Sequence, residues 1–173
     1  MEEIQYGPIH PGNFGPSSLD GFVSRQEVTE CWRKRDGQWT LLPIAYIDAC
    51  APDAPAVLEA LRSGKPAFGA WHAGQVVGLA LLDRERFGSR GQYIDLAELH
   101  VSAPFRGRGI GKALFHMACR EARALGAKRL YISAHSARET IAAYRALGCV
   151  EAEEICWPLA RREPCDVQLE YRL

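Results

Sequence analysis

Apolar residues recur along this chain with two periods, and the change from one to the other marks out the elements. Ile110, Ala113, Leu114, Met117, Ala118 and Leu125 keep a helical period, with Gly126 placed to close the helix. Ile141, Tyr144 and Leu147 do the same between Ser136-Ala137-Arg138-Glu139, which has the spacing of a capping box, and the stop at Gly148. A shorter helix is predicted over Ala56–Arg62, after Pro52 and Pro55 and before Ser63-Gly64. Leu19, Phe22, Val23 and Val28 also lie at helical spacings, so a helix capped by Ser17 or Ser18 is predicted near the N-terminus.

The strand pattern is as plain elsewhere. After a short strand and a Gly/Pro/Asn loop within Ile4–Phe14, Asp36-Gly37 makes a turn before Trp39–Leu42. Ala67–Trp71 and Gln75–Leu82 flank the turn His72-Ala73-Gly74, a hairpin signal. Arg129–Ala134, Val150–Ile155 and Asp166–Arg172 complete the set, the last alternating between a polar and an apolar face. The stretch Gln92–Ser102 is different. Strict alternation puts Tyr93, Asp95, Ala97, Leu99 and Val101 on one face and Ile94, Leu96, Glu98, His100 and Ser102 on the other. Neither face is purely apolar, so this is a central strand that carries chemistry or is broken by a bulge. The order of elements describes a mixed α/β arrangement around one sheet, and 173 residues form one domain, 1–173.

Composition narrows the class. Hydrophobic residues make up 47% and charged residues 24%, as in a soluble globular protein. Lysine plus arginine equals aspartate plus glutamate at 21 each, so a general affinity for nucleic acid or a membrane surface is not expected. The six cysteines, at 31, 50, 119, 149, 156 and 165, share no CxxC spacing, which argues against a zinc knuckle or a redox pair; no metal is expected. The start Met-Glu-Glu-Ile has no signal-peptide pattern and the apolar runs are too short to span a bilayer. Reduced thiols in the cytoplasm are the economical reading.

The candidate chemistry lies where the long strand meets the long helix. Arg106-Gly107-Arg108-Gly109-Ile110-Gly111-Lys112 combines three glycines at every second position with three basic side chains, and a helix follows at once. Glycine lets successive N–H groups converge on one point, and the new helix adds its positive end. That is an anion cradle. The P-loop pattern fails, because Gly111-Lys112 is followed by Ala113 and Arg106 stands where its first glycine belongs. The dinucleotide pattern GxGxxG fails because Lys112 occupies its third glycine position.

Arg106-x-x-Gly109-x-Gly111 between a strand and a helix resembles the acyl-CoA loop, Q/R-x-x-G-x-G/A, of the GCN5-related N-acetyltransferase (GNAT) family. Leu99-His100-Val101 before the loop, the Leu130–Ala134 strand and Tyr144-x-x-x-Gly148 fall where that family has them. The resemblance covers residues 65 to 173 by element order and the N-terminal third by topology alone. It implies an α/β (α+β) fold: one mixed, mostly antiparallel sheet of about six or seven strands, splayed between the fourth and fifth and flanked by about four helices. It also implies acetyl-CoA as co-substrate, with the pyrophosphate on Arg106, Gly107, Arg108, Gly109, Ile110, Gly111 and Lys112, and the pantetheine arm paired with backbone at Leu99, His100 and Val101. A backbone N–H on that strand then polarises the thioester carbonyl.

Acyl transfer to an amine needs a base for the ammonium and an acid for the thiolate. The resemblance places the acid at Tyr144, whose competing reading is ordinary packing beside Ile141 and Leu147. Glu98 is the first choice of base, with His100 and Asp95 on the same strand as alternatives. The family's asparagine contact to CoA falls on Ala137 here, with Ser136 beside it. The acceptor side is expected from N-terminal helices over Phe22–Trp39, through Arg25, Glu27, Trp32 and Arg33, and from the region of Trp157. The partner is then a small-molecule or peptide amine; an amino acid, a polyamine, an aminoglycoside, a peptide N-terminus and a lysine side chain all remain open, as does a homodimer. Direct attack in a ternary complex is the expected route, ahead of a cysteine relay. The rival reading is a non-catalytic acyl-CoA sensor or interaction module.

Overall fold

The computed structural model describes residues 3–173. Seven strands form one sheet in the order β1 (Gln5–Pro8), β4 (Ala67–His72), β5 (Gln75–Leu82), β6 (Tyr93–Val101), β7 (Arg129–Ala134), β9 (Val167–Arg172) and β8 (Val150–Glu151). β6 and β7 are parallel and every other pairing in the sheet is antiparallel. A separate antiparallel ribbon is made by β2 (Gln26–Arg35) and β3 (Gln38–Asp48). The four helices are α1 (Ala54–Arg62), α2 (Ile110–Ala124), α3 (Arg138–Ala146) and α4 (Trp157–Arg162).

The main core forms where the apolar stripe of α2 meets the sheet. Ile110, Leu114, Phe115, Ala118 and Ala122 pack against Ala80 and Leu82 of β5 and Ile94 and Leu96 of β6. Each large side chain fully buried there contributes about 1.5–3 kcal/mol. Gly78 is what allows the approach: a Cβ at that position would lie 2.8 Å from Leu114 and 2.9 Å from Ile110. The opposite face packs Leu79 and Leu81 against Val57 of α1, with Ile9 and Phe14 from the N-terminal segment.

The mixed faces of β6 are resolved by a bulge. Leu81 pairs with Glu98 but Leu82 pairs with Leu96, so Ala97 is an extra residue on β6. One inserted residue exchanges the faces beyond it. Ile94, Leu96, Leu99 and Val101 therefore share the α2 side, while Tyr93, Asp95, Glu98 and His100 share the other.

Several expectations are corrected. Residues 17–22 form consecutive turns rather than a helix, with Ser18 N–H bonded to Gly15 O, Asp20 N–H to Ser17 O and Phe22 N–H to Leu19 O. Val28 belongs to β2, where an irregular register between Val28 and Glu30 lets Val28 and Cys31 both pack on Ala137. Val150–Ile155 is strand only over Val150–Glu151, and α4 follows where no element was expected. Ser136 does not cap α3: the N-cap is Ala137, and no side chain caps the helix. The polar face of β9 is buried too, Gln168 at 8% and Glu170 at 6% exposure. It lies against a buried polar layer, where Tyr131 Oη donates to Gln168 at 2.7 Å, Tyr93 Oη donates to Glu170 at 2.5 Å, and Arg129 pairs with Glu170. Satisfied partners make that burial tolerable.

Candidate functional site

β6 runs through a short 3-10 turn, Ala103–Phe105, into the glycine loop and α2. Gly109 is the N-cap of α2 at φ 80°, no side chain caps the helix, and its carbonyl accepts the N–H of Ala113. The N–H groups of Ile110, Gly111 and Lys112 therefore have no acceptor within the helix. Gly107 is also left-handed, at φ 75°, and at both glycines the space a side chain would fill is open. This is a concave, donor-rich surface at the positive end of a helix of 15 residues. Lys112 and Arg108 are exposed beside it, Arg108 stacked 5.1 Å above the ring of Phe105. Arg106 is committed elsewhere: its Nε donates to Val101 O at 3.0 Å and its Nη1 to Arg25 O at 2.8 Å. Through these two bonds the guanidinium braces the end of β6 to the segment entering β2.

Beside the cradle the sheet opens. β6 pairs with β7 only at Tyr93, Asp95 and the Ile94 between them, opposite Arg129 to Tyr131, whereas the pairing of β6 with β5 continues to Val101. Ser102 N–H donates to Val77 O, on the β5 side. By the two-residue alternation of an antiparallel pair, the peptide groups of Leu99 and Val101 then face the gap left by β7. The bond from Arg106 to Val101 O, on that edge, agrees with this.

The non-α2 face of β6 carries the titratable groups. Glu98 Oε2 lies 2.5 Å from His100 Nε2, both half-buried. Asp95, the next residue on that face, is 9% exposed, and no described side chain or backbone donor hydrogen-bonds its carboxylate. Burial, and after it the charge of Asp83, pushes its pKa up to about 7 against the opposing pull of Arg162 and Lys65. Tyr144, half-buried on α3, packs against the main core. Its phenol is raised above its ordinary value by burial and then by the charges of Cys149, Asp95 and Asp166.

The far side is built from residues that the sequence pattern did not single out. Tyr46 Oη lies 2.6 Å from His135 Nε2, and Asp48 Oδ2 is 3.8 Å from the same nitrogen. His135 Nδ1 accepts the Ala137 N–H at 3.3 Å. Ser133 Oγ donates to Asp166 at 2.9 Å. A signal for His135 did exist: it follows β7 directly, and ligands of open sheets gather at the carboxyl ends of parallel strands.

The sequence profile of the acetyltransferase (GNAT) family matches residues 27–149. The chain belongs to the GNAT acetyltransferase family. No curated protein sequence matches it. Among solved structures it is similar to nourseothricin acetyltransferase, with a TM-score of 0.73 at 17% identity over 98% of both chains. A GNAT family acetyltransferase from Elizabethkingia anophelis with acetyl-CoA bound gives 0.60 at 14% identity over 100% of both chains. The acetyltransferase of GNAT family from Streptococcus pneumoniae gives 0.59 at 17% over 99% of both. At these identities the likeness is one of fold.

The start of α3 is covered by the β2–β3 ribbon. Ala137 is fully buried under a β-bridge to Cys31, Trp32 N–H donates to Ser136 O, and Ser136 Oγ accepts from Arg33 at 2.7 Å. Ser136 is therefore engaged by the ribbon through both its carbonyl and its hydroxyl. The acceptor-side helices expected over Phe22–Trp39 are replaced by this β2–β3 ribbon. Trp32 lies under Arg145 at 4.9 Å, and Trp39 Nε1 donates to Glu151 at 3.1 Å, so both indoles tie the ribbon to the domain. Glu27 is exposed on β2, and Trp157 is 60% exposed with Arg161 over its ring. The six thiols are free. Among the described residues no group of His, Cys, Asp and Glu is placed to hold a metal, and no helix is long and apolar enough to cross a membrane.

Proposed function

We propose that this enzyme transfers the acetyl group of acetyl-CoA to a primary amine by direct attack in a ternary complex. The observation that carries the reading is the continuity of two features: the uncapped start of α2 and the open edge of β6 at Leu99 and Val101. The first suits a pyrophosphate and the second an extended pantetheine arm that ends beside backbone donors. Acetyl-CoA bound in the Elizabethkingia anophelis relative supports the same assignment by fold.

The residues divide the work by position. The N–H groups of Ile110, Gly111 and Lys112 bind phosphate oxygens, with Arg108 and Lys112 adding charge from the rim. The Val101 N–H donates to the thioester oxygen and stabilises the negative charge that grows there on attack. Glu98 removes the proton of the incoming ammonium, with His100 beside it to pass the proton outward. Tyr144, kept protonated by burial, donates to the departing sulfur. Acyl group, amine and both proton carriers then meet where β6 and β7 part.

The test is thiol release from acetyl-CoA in the presence of a panel of amines, alongside calorimetric CoA binding. Amine-dependent release is expected. Tight CoA binding with no acetylated amine would turn the reading to an acyl-CoA sensor.

A further inference from the structure

The far lip of the gap in the sheet carries a hydroxyl that the reaction proposed above does not use. Continuing the register from Asp95↔Tyr131, with Ala97 as the extra residue on β6, sets His135 level with His100. Alternation along β7 gives the face. Leu130, Ile132 and Ala134 belong to the α2 core, so Tyr131, Ser133 and then His135 take the Glu98 side. Tyr93 and Tyr131, with ring centroids 5.3 Å apart, meet on that same side. His135 therefore stands across the gap from Glu98 and His100. Tyr46 and Asp48, two residues apart and so on one face of β3, are both turned towards it.

The backbone decides where the hydrogens lie. The Ala137 N–H donates to His135 Nδ1 at 3.3 Å, so the neutral ring carries its hydrogen on Nε2 and gives it to Tyr46 Oη at 2.6 Å. Tyr46 accepts in that bond, and its own hydrogen is left over. The neighbouring Cys31 thiol is only a weak acceptor, and apart from His135 no nitrogen or oxygen of the described residues is hydrogen-bonded to this hydroxyl. Asp48 is half committed: Oδ1 accepts the Cys50 N–H at 3.0 Å, while Oδ2 is 3.8 Å from His135 Nε2, beyond hydrogen-bond reach. Tyr46 is 39% exposed, and Asp48 and His135 are half-buried, so all three can be reached.

The other polar groups of this lip are already engaged. Ser133 Oγ donates to Asp166 and accepts from Gln168, and Ser136 gives its carbonyl and hydroxyl to the ribbon. Arg33 is held by Trp32 O and Ser136 Oγ, and Arg138 by Glu30 and Glu139. What stays open is one donor and one acceptor side by side, Tyr46 O–H and Asp48 Oδ2. A hydroxyl completes both, because a single oxygen accepts and donates. A carboxylate would accept from Tyr46 but meet the charge of Asp48, and an alkyl group would leave both unpaired.

We propose that Tyr46 and Asp48 read a hydroxyl group on the acceptor, so that the enzyme prefers amino alcohols, with His135 as the positioning residue that aims Tyr46. This rests on the amine acetylation proposed above and narrows its acceptor. The amine end meets Glu98, and the hydroxyl end reaches across the gap.

The experiment compares ethanolamine, 3-amino-1-propanol and 4-amino-1-butanol with propylamine, butylamine and pentylamine, in which a methyl group replaces each hydroxyl. At the chain length that bridges the gap, kcat/KM for the amino alcohol is expected to exceed that of its alkyl counterpart by about tenfold, mainly through KM. Tyr46→Phe should bring this ratio to within about twofold of unity, and His135→Ala, which leaves the phenol unaimed, should lower it about threefold. A ratio of two substrates on one variant cancels any loss of folded enzyme. Ratios near unity at every length in the unaltered enzyme, or a preference that survives Tyr46→Phe, overturn the inference and leave the proposed reaction standing. Transfer to no amine overturns the reaction, and calorimetry on the CoA-loaded protein then decides the inference. An amino alcohol bound more tightly than its alkyl counterpart, with the difference lost in Tyr46→Phe, keeps the hydroxyl site. Equal binding, or none, overturns both.

Discussion

Glu98 Oε2 sits 2.5 Å from His100 Nε2 on the face of β6 that also carries Asp95. Asp95 joins the pair because Ala97 is an extra residue: an unbulged strand would set Asp95 on the side opposite Glu98 and His100. Glu98→Gln removes the proton acceptor and keeps the shape. We expect kcat to fall about a hundredfold at neutral pH. The deficit should shrink as pH rises and the amine loses its own proton, which a pH–rate profile of both enzymes would reveal. A constant deficit at all pH would mean that Glu98 serves only to hold His100.

Asp95 makes stability depend on pH. Its folded pKa is raised to about 7, above the ordinary carboxylate value of 3.8, so between these values the folded state binds more protons than the unfolded. Stability is therefore expected to decline as pH rises from about 4 to 7 and to level off above that. Asp95→Asn should flatten this slope and raise stability at pH 8 by about 2 kcal/mol. Urea unfolding at several pH values reads it, and an unchanged slope in the variant would refute the assignment.

The two glycines that open α2 should behave differently. Gly109 holds φ 80°, whereas a Cβ at Gly111 would rest 3.5 Å from Val101 in ordinary contact. Gly109→Ala is expected to cost about 1–2 kcal/mol and to weaken CoA binding at least tenfold as the loop shifts. Gly111→Ala should leave both nearly unchanged. Calorimetry with CoA and urea unfolding together separate strain from ligand contact.

Tyr144→Phe keeps the packing of the ring against the main core and deletes one hydroxyl. The melting temperature should move little, while kcat falls about tenfold to a hundredfold with CoA affinity preserved. Full activity in the variant would leave Tyr144 as a packing residue.

Arg106 tests the brace against the anion contact. Losing its bonds to Val101 O and Arg25 O in Arg106→Ala should reduce stability by about 1 kcal/mol. A large loss of CoA affinity at unchanged stability would instead restore its role on the phosphate.

The cofactor end was legible because its signals are local. A positive φ at Gly109, a helix start at Ile110 and the α2 stripe all follow from residues adjacent in the chain. The acceptor end was not. The apparent helix came from the spacing of Leu19, Phe22, Val23 and Val28, of which the first two lie in consecutive turns and the last in β2. The capping box at Ser136 gave way because β2 docks over the start of α3 and takes both the Ser136 carbonyl and its hydroxyl.

By itself, then, the order of residues determined the long strand, the glycine loop and the helix that follows, because backbone freedom and apolar period act within one turn or one strand. Tertiary structure alone decided which carboxylates meet. Asp95 and Glu98 share a face of β6, while Asp48 from β3 and Asp166 from the entry to β9 reach His135 and Ser133 at the end of β7. Those arrangements depend on the Ala97 bulge, the pairing of β7 with β9, and a ribbon laid across α3. No spacing along the chain encodes a distance set by three elements packing on one another.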